Sequence, residues 1–219
     1  MTIFSASDQV LDVCVLVLPE SSMMSLASTL DTMRAANRLA NRILFRWKIL
    51  TLSGEPVLLT CNLPVMSDAK LSVNAGGDAF FILAGFNQQK HVTKPQLILI
   101  KQVCRNFKLV GGIEAGSWVL ARCGLLEQKK ATTHWEDLEE FALQFPRVQL
   151  KADRFVIDGG LFTTGGASPT FDFMLHLIRT RYGYPLALEV ASAFIYEGVH
   201  SATDPQPLVS LGHLQYHEP

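Results

Sequence analysis

The chain has 219 residues, of which 48% are hydrophobic and 18% charged, with a mean hydropathy of +0.21. That composition buries a sizeable core and excludes a disordered, solvating segment. Nineteen Lys and Arg against twenty Asp and Glu leave a net charge of -1, which excludes a nucleic-acid-binding surface built on charge alone.

The opening residues carry no basic n-region, and the apolar run 10–18 contains Asp12 and stops at Pro19. It is too short for a membrane span and has no cleavage site. Cys14, Cys61, Cys104 and Cys123 are scattered without a C-x-x-C pair, so neither a zinc site nor a disulfide framework is expected. The reading is a reduced, cytoplasmic, soluble chain with no cofactor, no metal and no membrane partner.

Strand and helix signals then alternate. Residues 10–18 are nearly continuously apolar and β-branched, the pattern of a strand covered on both faces. Ser21 or Ser22 can cap a helix in which Met23, Leu26, Ala27, Leu30 and Met33 recur at helical spacing. Residues 46–52 read as a strand, 53–56 as a turn and 57–60 as a short return strand. A buried strand at 79–83 breaks at Ala84-Gly85, and Pro95 suits the first turn of the next helix. Residues 109–113 form another strand, followed by a helix over 117–123 that Gly124 stops. Helices are expected at 135–143, 170–181 and 186–196, with a hairpin-like pair at 155–157 and 161–163. Beyond Val199 the chain turns polar and Pro-rich, as a linker does.

Such alternation predicts an α/β fold, a mostly parallel sheet with helices on both faces. Ligands then bind beyond the carboxyl ends of the strands, which directs attention to the loops after Leu18, Leu83 and Ile113.

The most informative stretch runs from Gly111 through Ile113, Glu114, Ala115 and Gly116 to Trp118. A strand leading straight into a helix, with Gly two residues past the turn, has the shape of a nucleophile elbow. An enzyme would carry Ser or Cys at the turn, where this chain has Glu114. At a helix N-terminus the orphan N–H groups and the macrodipole are expected to hold that carboxylate ionised. It is either a capping group or a fixed negative charge aimed into a pocket.

The other candidates carry two readings each. His134 is a ligand contact or a helix cap, and Trp135 is cage or core. Phe86 is a possible aromatic wall after the Gly85 turn, whereas Trp118 suits helix–sheet packing. Met24 lines a ligand or packs in the core. Thr164-Gly165-Gly166 is an anion loop or a plain turn. Asp31 with Arg34 fits a surface ion pair, and Asp172 fits a buried structural acid.

Gly112 to Ala121, Gly124-Leu125-Leu126 and Thr132-Thr133-His134-Trp135-Glu136 together resemble the amidotransferase-like sensor domain of AraC-family transcriptional regulators. Val17-Leu18-Pro19, Phe45-Arg46-Trp47 and Phe162-Thr163-Thr164-Gly165-Gly166 agree, so the resemblance runs from about Val10 to Glu197. It implies a flavodoxin-like three-layer fold shared with class I glutamine amidotransferases, PfpI-type proteases and the Parkinson-associated deglycase. It also implies a homodimer that senses a small-molecule effector over residues 1–200. Residues 201–219 would be a linker toward a helix-turn-helix domain, absent here, through which DNA is bound.

Where the catalytic relatives carry an elbow cysteine this chain has Glu114. The histidine that often follows it is Ala115, and their acidic partner on the first helix corresponds to Ser25. The resemblance therefore implies a non-catalytic sensor with Glu114, Gly85, Phe86, His134, Trp135, Ala115 and Met24 about its ligand. The chain looks most like an acidic-elbow subgroup that resembles regulators sensing glycine betaine, carnitine, dimethylglycine or arginine, and a carboxylate beside aromatic faces suits such cations. The alternative is an enzyme of the same superfamily acting without the elbow thiol.

Overall fold

The computed structural model describes residues 3–198 and 200–206. The chain forms, in order, β1 (Leu11–Val17), α1 (Met23–Leu39), β2 (Phe45–Thr51), β3 (Val57–Leu58), β4 (Pro64–Val65), β5 (Ala69–Lys70) and β6 (Ala79–Ala84). Then come α2 (Gln88–His91), α3 (Lys94–Cys104), β7 (Leu109–Glu114), α4 (Gly116–Arg122) and β8 (Lys130–Ala131). A 3-10 turn (Trp135–Asp137) leads into α5 (Leu138–Gln144), β9 (Gln149–Leu150), β10 (Phe155–Asp158), β11 (Leu161–Thr164), α6 (Ala167–Tyr182) and α7 (Tyr184–Ala193).

Seven strands make one sheet in the order β10-β11-β7-β6-β1-β2-β5. All neighbours run parallel except the β10–β11 hairpin. Two-residue alternation along β1 sends Val13, Val15 and Val17 into one core and Cys14 and Leu16 into the other. The first core lies under α1, α6 and α7, and the second under α3, α4 and α5. This is the expected flavodoxin-like three-layer sandwich.

In the first core the rings of Phe162 and Phe173 stack at 3.7 Å. Gly111 makes room for them, since a Cβ there would lie 2.0 Å from the Phe162 ring. Ser22 caps α1, its hydroxyl accepting from the Ser25 N–H, and Gly124, at φ +72°, ends α4 as expected. Asp31 and Arg34 pair on the exposed face of α1 at 2.6 Å.

Three expectations change. Residues 57–60 do not return along β2: β3 pairs with β4 in a separate two-stranded ribbon, and β5 extends the main sheet beyond β2. The helix expected from 135 starts as a 3-10 turn and becomes α-helical only at Leu138. The polar exit is packed rather than free over its described part. Arg154 N–H donates to the Ala202 and Asp204 carbonyls, and Gln206 is only 3% exposed. The rest of the expected linker, 207–219, lies outside the described residues.

Among the described residues, no helix is long and apolar enough to cross a membrane and no group of His, Cys, Asp and Glu is arranged to hold a metal ion. Cys14, Cys104 and Cys123 are buried and Cys61 is exposed. Burial pushes the Cys104 thiol up to about 12 and the Cys123 thiol up to about 11, the state of packed, unreactive sulfur.

Candidate functional site

The chain runs outward from β1 to β2 on one side and comes back to β6 on the other, so the strand order reverses at β1 and β6. A crevice opens beyond the carboxyl ends of strands at such a point. Ser21 ties its two walls together, its buried hydroxyl lying 2.7 Å from the Leu18 carbonyl and 3.0 Å from that of Leu83. The loops after β1 and β6 touch so closely that a Cβ on Gly85 would lie 2.1 Å from the Glu20 carbonyl.

Glu114 stands on the third edge, at the end of β7, in the left-handed conformation with φ +53°. A non-glycine residue rarely adopts that conformation, and strain of this kind is held by its surroundings. Here the surroundings are two glycines and a hydrogen bond. A Cβ on Gly116 would sit 2.1 Å from the Ile82 carbonyl, and one on Gly112 would sit 2.6 Å from the Ser117 nitrogen. The Ala115 N–H donates to the Ala84 carbonyl at 3.1 Å. The strand must therefore turn at once into α4, and the turn residue is pushed out at the crevice.

Its carboxylate accepts a hydrogen bond from Ser25 Oγ at 2.6 Å. Burial pushes the Glu114 carboxyl above its ordinary value, opposed by the Ser25 hydroxyl and by the charge of His134. Desolvation is the largest of these three effects.

Glu20 and Asn87 are also left-handed, at φ +59° and +55°, and Asn87 Nδ2 donates to Glu20 Oε2 at 2.6 Å. That bond, with His91 nearby, holds the Glu20 carboxyl below its ordinary value. The fourth wall comes from the segment after β8. His134 Nδ1 lies 3.4 Å from Glu136, and Trp118 Nε1 donates to Asp137 at 3.1 Å. Burial raises the Asp137 carboxyl.

These loops enclose a cavity of about 380 Å³, within the usual range for a small-molecule site. Glu20, Glu114, Glu136, Asp137 and Glu140 all line it, and no Lys, Arg or Cys does among the described residues. Five carboxylates around one opening favour a cation by Coulomb attraction, more strongly where water is excluded.

Of the residues singled out from sequence, Glu114, Ala115, Gly85, Phe86 and His134 come together on this cavity. Phe86, 69% exposed, stands at its mouth. Met24 is 68% exposed and is not among the lining residues. Trp135 is likewise outside the lining, half-buried with its ring 5.7 Å from that of His134. Trp118, expected in helix–sheet packing, sets its ring edge-on against Phe141 of α5 and Phe145 at its end, and it also reaches the cavity.

Sequence reasoning missed Glu20, Asn87 and the acidic rim. The run Glu136-Asp137-Leu138-Glu139-Glu140 was the available signal for the rim. Of the two readings of Thr164-Gly165-Gly166, the plain turn is the one that fits, since the Gln206 side chain fills the space a Gly165 Cβ would need. Asp172 is the buried structural acid expected, held by Arg154.

The chain matches the DJ-1/PfpI family over residues 12–180. It belongs to that family. The HTH-type transcriptional regulator CdhR of Pseudomonas aeruginosa is 36% identical over 88% of this chain and 57% of its own length. The HTH-type transcriptional regulator GbdR of the same species is 34% identical over 87% and 52%. This DJ-1/PfpI chain thus spans just over half the length of these relatives. The crystal structure of an AraC family transcriptional regulator from Pseudomonas putida superposes with a TM-score of 0.75 at 24% identity, covering 84% of this chain and 99% of that one. That likeness confirms the fold.

Proposed function

We propose that this DJ-1/PfpI domain is the non-catalytic ligand-sensing and dimerisation domain of an AraC-type transcriptional regulator. Its effector is a cationic amine or amino-acid derivative of the betaine, carnitine or arginine type. One observation carries the reading: the elbow presents a half-buried carboxylate, Glu114, to a cavity with four further carboxylates and no Lys or Arg among the described residues.

A cationic head against Glu114 would lie near Trp118 and beneath Phe86 at the mouth. Aromatic faces add about 0.5–2 kcal/mol to such a contact. The similarity to regulators of which this chain covers 57% and 52% supports a second, DNA-binding domain in the whole protein. Two-fold operators are matched by two-fold proteins, which supports a homodimer.

The test is calorimetric titration of the chain with glycine betaine, carnitine, dimethylglycine and arginine. Saturable heat from at least one, lost in Glu114→Gln, is the expected result. Silence from the whole panel, with the chain folded, overturns the reading. Elution volume and light scattering test the dimer separately.

A further inference from the structure

We infer that Gln206 is a positioning residue that couples the cavity to the chain where it leaves the domain. Gln206 holds the segment that carries His134 to the cavity wall, and the same contacts anchor residues 200–206.

The side-chain amide of Gln206 is buried. Its Nε2 lies 3.0 Å from Thr132 Oγ1, 2.9 Å from the Thr133 carbonyl and 2.9 Å from the Asp153 carbonyl. Gly165 has no side chain because this amide occupies the place of one: a Cβ there would lie 2.2 Å from Nε2. The backbone is held too, with Gln206 N–H donating to the Ala152 carbonyl at 3.0 Å and Pro205 bridged to Asp153.

From the amide a continuous path leads to the elbow. Gln206 holds the Thr133 carbonyl, and Thr133 Oγ1 lies 2.9 Å from Ser117 Oγ. Ser117 Oγ in turn donates to the Glu114 carbonyl at 2.8 Å. Every member except Glu114 is buried, so a broken link cannot be replaced by bulk water.

His134 follows Thr133 directly and lines the cavity. An occupant that shifts the His134 backbone moves the adjoining Thr133 peptide, whose carbonyl is one of the three oxygens that the Gln206 amide meets. Thermodynamic coupling runs both ways, so loosening the exit segment must also loosen His134.

The test needs no ligand, so its failure is separable from failure of the cationic-effector reading. It follows amide exchange and side-chain resonances of the whole chain by NMR. Gln206→Ala removes the donor, and Gln206→Glu sets a carboxylate against three oxygens. Both are expected to speed exchange at the Arg154 and residue-206 amides by about tenfold or more, with the larger effect in Gln206→Glu. Val15 and Phe81 in the central strands keep their rates, and the His134 ring resonances shift.

Released exit residues with unmoved His134 resonances overturn the coupling. Undiminished protection at Arg154 and residue 206 overturns the anchor itself. Ser117→Ala breaks the path at its other end and is expected to speed exchange at Gln206. An unchanged rate there also overturns the inference.

Discussion

Ser25 Oγ and Glu114 Oε1 meet at 2.6 Å although 89 residues separate them in sequence. The first helix and the elbow therefore share one hydrogen bond, made by a carboxylate that lines the cavity. Its hydroxyl donor steadies the ionised form of a carboxylate that burial would otherwise push toward protonation.

Ser25→Ala should raise the Glu114 carboxyl further. Cation binding needs the ionised form, so affinity should fall about five- to tenfold near neutral pH, the size expected for a hydrogen bond to a charged group. The pH at which binding is half lost should move upward. Titrations across a pH series with whichever cation binds the unmodified chain check both effects.

Glu114→Gln should bind no cation yet be more stable. A carboxyl raised in the folded state favours folding while protonated and loses that advantage as pH rises through its folded value. At neutral pH the ionised group is thus a liability that the neutral amide lacks, and the amide oxygen still accepts from Ser25. A gain of about 1 kcal/mol, or ~2–4 °C in Tm, is expected. The gap should close as pH falls from above the raised folded value toward the ordinary carboxylate value, read by thermal melts at a series of pH values.

Gly116→Ala should cost about 3 kcal/mol or more, because its Cβ would meet the Ile82 backbone carbonyl at 2.1 Å and neither strand nor helix can retreat. Gly76→Ala, with nothing within 4 Å, should stay within about 0.5 kcal/mol. Urea unfolding of the two variants makes the comparison.

Asp172→Asn should cost about 3–5 kcal/mol, since it leaves the buried Arg154 guanidinium without its counter-charge. Asp172 also accepts from Tyr196 Oη at 2.8 Å and the His200 N–H at 3.3 Å. Proteolysis at residues 196–206 should accordingly accelerate in this variant, as limited digestion would show.

Much of the fold was legible because its signals are local. β6 is a continuous apolar run and β1 is one but for Asp12, and alternate residues of each feed the two cores. The elbow was legible because Glu114 stands two residues before an obligatory glycine. β3, β4 and β5, of two residues each, carry too little pattern to read, and their pairing is set by neighbours rather than by propensity. Trp135 and Met24 looked suitable by residue type and position, yet neither lines the cavity. Glu20 was invisible because nothing in Pro19-Glu20-Ser21 announces a left-handed backbone.

By itself the amino-acid sequence determined the alternating layers, the abrupt strand-to-helix turn and the carboxylate at its tip. These follow from side-chain periodicity and from the steric demands of glycine, properties carried by a few adjacent residues. Tertiary structure alone decided which charges share the crevice, that Ser25 reaches Glu114, and that Gln206 lies buried against Thr132 and Thr133. Those pairings join residues far apart along the chain, and only packing two layers onto one sheet brings such partners within hydrogen-bonding reach.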